Sequence, residues 1–127
     1  MSAFGAAMRD LFYVGIGGFL GAACRYLVSV WARGWTAQFP FGTLTVNVLG
    51  SLALGFCAAF LTKESLRLGV AVGFLGSFTT FSAFSYESML LWESGRWAAF
   101  LLNAALNVGA CLGAAALGIY ASRALTS

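Results

Sequence analysis

Charge is what this sequence has least of. Its 127 residues include seven Lys and Arg and four Asp and Glu, 9% of the chain, where a soluble domain carries roughly 25%. So few ionised side chains cannot clothe a water-facing surface, which excludes an ordinary soluble domain and leaves no basic patch for nucleic acid. Histidine is absent, and there are no paired carboxylates, metal-ligand spacing or nucleophile beside a base. An enzyme is therefore not expected. Proline occurs once, so little interrupts long helices. The three cysteines, Cys24, Cys57 and Cys111, fall in three different apolar stretches. They read as small buried apolar residues and not as a disulfide frame or metal cluster.

Apolar length is what the chain has in quantity, with 61% hydrophobic residues and sixteen glycines. Four apolar runs, 11–31, 41–62, 68–92 and 97–121, each reach the roughly 30 Å of a hydrocarbon core at about 1.5 Å per residue. The expectation is an all-α, multi-pass membrane protein, a single four-helix transmembrane domain over 1–127. Trp31, Trp35, Trp92 and Trp97 fall at the expected span ends, where amphipathic rings anchor at headgroups. The first run is longer than a signal-peptide core and is read as a retained span. The short connections and tails put Arg9, Lys63, Arg67 and Arg123 on one side and Arg33 and Arg96 on the other. Arg25, inside the first span, is expected to snorkel toward the second group. So weak a bias permits either a single topology or insertion in both orientations, the latter allowing an inverted pair.

Polar groups within the spans carry the functional signal, because each needs a partner there. Thr43, Asn47 and Ser51 recur at four-residue spacing on one helix face, and Asn103 and Asn107 do the same in the fourth span, with Cys111 next in line. Interhelical hydrogen bonding and a pore lining are both open readings of these stripes. In the third span, Gly69, Gly73 and Gly76 precede hydroxyls at Ser77, Thr79, Thr80, Ser82, Ser85 and Ser88. That composition suits a helix broken in mid-membrane, as in transporters and channels; close packing of an unbroken helix is the other reading. Phe81 and Phe84 project to the same side. A phenyl edge is electropositive, so two edges with amide and hydroxyl donors can attract a small hydrated anion without a fixed charge that would trap it. Glu87 is the one acid inside a span, near the tryptophan end. Gly17-xxx-Gly21 and Gly109-xxx-Gly113 favour close helix contact.

GGFLGAACRY at 17–26, FPFGTLTVNVLGS at 39–51 and GFLGSFTTFSAFSYE at 73–87 resemble, in order, the signature blocks of the Fluc (CrcB) fluoride-channel family. The resemblance covers essentially the whole chain in length and four-span layout. It implies a passive fluoride-selective channel, built as an antiparallel dual-topology homodimer with two pores and a structural Na+ at the dimer interface. By matching positions, Phe81 and Phe84 are the pore phenylalanines and Asn47 the pore amide. Thr43 and Ser82 or Ser85 belong to the polar track, and the backbone carbonyls of Gly76 and Thr79 face the sodium. Arg25 matches the first-span arginine of the vestibule, and Glu87 the acid after the phenylalanine motif. Two places depart from the family pattern: Ser77 stands where glycine is common, and Asn103 and Asn107 stand where tyrosine and serine are common. The rival class is a proton-coupled small multidrug-type exporter, which needs an acid deep in the membrane; the first span has none. A noncatalytic assembly subunit is the third.

Overall fold

The computed structural model describes residues 2–127 and is all-helical. Helix α1, Ala3–Thr36, starts where Ser2 accepts a hydrogen bond from the Gly5 N–H at 3.2 Å. Pro40 introduces α2, Phe41–Cys57, and its carbonyl receives the first α2 bond, from Leu44. Proline suits this place because a helix's first N–H groups lack partners anyway. The turn α3, Glu64–Leu66, leads into the third apolar run, which passes through a π-helical segment, Arg67–Leu75, and closes its first half with α4, Gly76–Phe78. Its second half is α5, Phe81–Glu93, and α6 is Trp97–Thr126. The reversal between them uses Gly95 at φ 74°, the left-handed region that glycine enters at no steric cost.

Among the described residues, three helical stretches, Ala3–Trp35, Glu64–Glu93 and Trp97–Thr126, are long and apolar enough to cross a membrane. The α2 helix is shorter, 17 residues, about 26 Å. The apolar run continues to residue 62, but the Phe60 and Leu61 N–H groups both fold back on the Cys57 carbonyl and end the helix. The nine-residue π-helical segment was not foreseen from the sequence.

Packing is inside-out. Phe12, Phe19, Leu101 and Leu112 are exposed, whereas Thr43, Thr80, Ser88, Asn103, Asn107 and Ser122 are buried. This is the distribution expected where lipid is the solvent and polar groups must be satisfied by one another. The four tryptophans stand exposed near helix ends, Trp31 edge-on to Trp35 and Trp92 beside Trp97. Two pairings dominate, α2 on α6 and α1 on the π-helical segment. Both are backbone-to-backbone contacts. A Cβ at Gly17 would lie 1.9 Å from the Gly69 carbonyl oxygen, and one at Gly118 2.4 Å from that of Leu52. The Gly17-xxx-Gly21 pair is thus used inside the chain. Gly109 and Gly113 are not; nothing lies within 4 Å of a Cβ at either.

Candidate functional site

The third apolar run breaks at two threonines, not at a glycine. Thr79 (φ −83°, ψ 157°) and Thr80 (φ −152°, ψ 111°) are extended, while Gly76 is helical. β-Branched residues favour extended backbone, and Gly73 is occupied instead with close approach, a Cβ there lying 2.7 Å from the Val14 carbonyl oxygen. The break seats against α2 where that helix has no side chain: a Cβ at Gly50 would come within 2.2 Å of Thr79 Cγ2.

Both sides of the break are held by side chains from elsewhere. On the α4 side, Arg25 Nε donates to the Ser77 carbonyl at 3.0 Å. The expected snorkelling of Arg25 to the membrane surface is corrected: its guanidinium turns inward because a helix C-terminal carbonyl at mid-span lacks a partner and favours a cation. On the α5 side, Thr80 Oγ1 accepts from the Ala83 N–H at 3.2 Å as the N-cap. Asn47 clamps the same residue at both backbone groups, Oδ1 accepting from the Thr80 N–H at 2.8 Å and Nδ2 donating to the Thr80 carbonyl at 3.1 Å. In an unbroken helix that N–H would close on the Gly76 carbonyl.

From Asn47 a chain of side-chain hydrogen bonds runs through α6 and back to α5. Asn47 Nδ2 donates to Asn107 Oδ1 at 2.9 Å, and Asn107 Nδ2 to Asn103 Oδ1 at 2.9 Å. Asn103 Nδ2 then donates to Ser88 Oγ at 2.9 Å, and Ser88 Oγ to the Phe84 carbonyl at 2.7 Å. Thr43 Oγ1 donates to Glu87 Oε1 at 2.9 Å, away from this chain, and Glu87 Oε2 is buried with no hydrogen-bond partner among the described residues.

Beside the break lies a cavity of about 290 Å³. Of the residues singled out in the sequence, it brings together Phe81, Phe84, Asn47, Ser51, Asn107, Cys111, Gly76, Thr79 and Thr80. The two rings are tilted 58° with centroids 5.3 Å apart, and Phe81 is 77% exposed. No ionisable side chain other than the Cys111 thiol lines the cavity. The other singled-out residues lie elsewhere. Asn103 is fully buried; Ser85 Oγ donates to the Phe81 carbonyl; Ser82 is exposed, its hydroxyl 3.3 Å from that of Thr80. Thr43 and Glu87 line a separate cavity with Arg33. Sequence reasoning named Thr80 and Ser88 only among the hydroxyls of the third span and gave neither a role; the N-cap spacing from Thr80 to Ala83 was a usable signal, whereas no local pattern announces the bond between Ser88 and Asn103.

A bundle with an apolar exterior, a broken membrane helix and an internal polar chain defines a small multi-pass helical membrane protein. Its residues 12–119 match the family described as CrcB-like protein, Camphor Resistance (CrcB), and the chain belongs to that family. Similar proteins include the fluoride-specific ion channel FluC of Legionella pneumophila (strain Lens), 47% identical over 100 residues, covering 74% of this chain and 75% of that protein. The protein of the same name from Sorangium cellulosum (strain So ce56) is 40% identical over 124 residues, covering 93% and 98%. Fluoride-specific ion channel FluC 1 of Methanosarcina barkeri (strain Fusaro / DSM 804) is 47% identical over 105 residues, covering 83% and 90%.

Proposed function

We propose that the protein is a passive fluoride-selective ion channel of a bacterial inner membrane, working as an antiparallel homodimer of the four-helix unit. Family membership and the names of its relatives support the ion. The observation that carries the reading is the cavity at the break, lined by tilted phenylalanines and amides and free of fixed cations. Fluoride holds its water tightly, so a path for it must replace that shell in part and still let the ion leave. Phenyl edges and the positive end of α5, which starts at the cavity, attract an anion without a salt bridge to hold it. In this reading Phe81 and Phe84 line the path and Asn47 and Asn107 stand at its wall, while Thr43, Ser82, Ser85 and Asn103, which do not line this cavity, are polar residues of its surroundings. Arg25 and Glu87 are structural or vestibule residues. The exporter alternative needs an acid at the cavity, and Glu87 lines a different one.

The second copy supplies what covers Phe81 and the outward Gly109 and Gly113 face of α6. A structural Na+ between the copies fits the oxygen chemistry of the break, because diverting the Thr80 N–H to Asn47 removes the Gly76 carbonyl's helical donor. Gly76 and Thr79 would hold the ion through backbone carbonyls, and the ion would contribute cross-linking of the two copies. Phe81→Ala tests the pore: fluoride release from proteoliposomes should fall at least tenfold while the protein elutes as the same assembly. Wild-type flux in that variant removes Phe81 from the path.

A further inference from the structure

The amide chain between α2, α6 and α5 begins and ends on the same structural unit. It leaves the backbone of Thr80 and returns to the carbonyl of Phe84, so the two attachment points bracket the turn of α5 that carries Phe81 and Phe84. The direction of every bond follows from one group. A backbone N–H only donates, so the Asn47 atom facing Thr80 N is its oxygen, and Nδ2 must face the Thr80 carbonyl and Asn107. Two hydrogens on Nδ2 meet two acceptors, and none is left to point into the cavity. Asn107 Nδ2 likewise turns to Asn103, 3.1 Å from its carbonyl oxygen and 2.9 Å from Oδ1. Asn103 is 0% exposed and does not line this cavity.

Building on the pore reading of Phe81 and Phe84, we infer that Asn103 and Asn107 are positioning residues. Acting through Asn47 and Ser88, they hold the ring-bearing turn of α5 at both ends and give no hydrogen bond to the ion. Tyrosine and serine, common at these positions in the family, differ from asparagine in the one property used here. A primary amide accepts on one atom and donates on another, so it passes the chain's direction on without a rotatable hydroxyl.

The experiment is residue-resolved hydrogen exchange on the full chain in lipid nanodiscs, with fluoride release measured on the same variants in liposomes. Asn107→Leu deprives Asn47 Nδ2 of one of its two acceptors, and the Thr80 amide should exchange about tenfold faster, a change confined to the break while α1 amides keep their rates. Asn107→Asp has the same shape and in its protonated form offers an oxygen to Asn47 and an O–H to Asn103. It should return Thr80 exchange to within about threefold of the native rate, with flux recovering in parallel. Unchanged Thr80 exchange in Asn107→Leu overturns the inference, and so does a loss of flux without loss of that protection, which would make the amides ligands of the ion. Should Asn107→Leu fail to fold, Asn103→Ser interrupts the chain one link further on and is judged by the same exchange at Thr80. If the native protein passes no fluoride, the pore reading fails, while the exchange comparison still decides whether the amides hold the break.

Discussion

Gly21→Ala is the sharpest perturbation of the packing that supports the break. The added Cβ would lie 2.1 Å from the Phe74 carbonyl oxygen, 2.9 Å from its carbon and 3.0 Å from Cα. A carbon and a carbonyl oxygen rest no closer than about 3.3 Å, so α1 and the π-helical segment must part by roughly 1 Å. All three obstructing atoms are backbone, so no side-chain rotation relieves the clash. A gap of that size forfeits a quarter to a half of the dispersion well at every contact along the seam, and overpacking of this kind costs about 1–3 kcal/mol. Helix propensity favours alanine by about 1 kcal/mol, leaving a net loss of up to about 2 kcal/mol and a deficit of about 1–3 kcal/mol against a control that gains the same propensity without the clash. The control is Gly15→Ala, on the same helix with nothing within 4 Å of the new Cβ, where propensity alone operates and stability should hold or rise by up to about 1 kcal/mol. Denaturant titration in detergent, read by tryptophan fluorescence, compares the two. Equal stability of the two variants would refute backbone contact between α1 and the π-helical segment.

Two further outcomes follow from the break. Thr80→Val keeps the β-branched shape that favours extended backbone but removes the acceptor of the Ala83 N–H; the same titration should show a loss of about 1 kcal/mol, and none would mean that Thr80 does not cap α5. Arg25→Met retains the apolar stem but leaves the Ser77 carbonyl without its donor. A loss of about 1.5–3 kcal/mol is expected for a bond to a charged group, and native stability would place the guanidinium elsewhere.

The four helices were legible because apolar length is a local property, readable without knowing what packs on what. Where α2 stops was not, because the Cys57 carbonyl that ends it is chosen by hydrogen bonds within an otherwise apolar run. The interruption of the third run was one of two readings that its hydroxyls and glycines allowed, and the residues that bend are Thr79 and Thr80. Gly69 and Gly73 serve contact with α1, a tertiary fact that composition does not carry. Four-residue spacing correctly grouped Asn103 with Asn107, which bond one another. It grouped Thr43 with Asn47 less well: Thr43 serves Glu87 and Asn47 serves Thr80. Periodicity assigns a face and says nothing of the partner waiting there. Ser85 lies outside the cavity for a related reason, since a hydroxyl in a helix finds the carbonyl four residues back as readily as a ligand, here that of Phe81, and the Ser82 hydroxyl turns to that of Thr80.

The central claim is selective passage of fluoride. Purified protein in liposomes loaded with equal fluoride and chloride, each ion followed by its own electrode after an outward gradient is imposed with valinomycin to balance charge, tests it most directly. Fluoride is expected to leave rapidly while chloride release stays at the level of protein-free vesicles. Equal release of the two ions, or none of either, contradicts the claim.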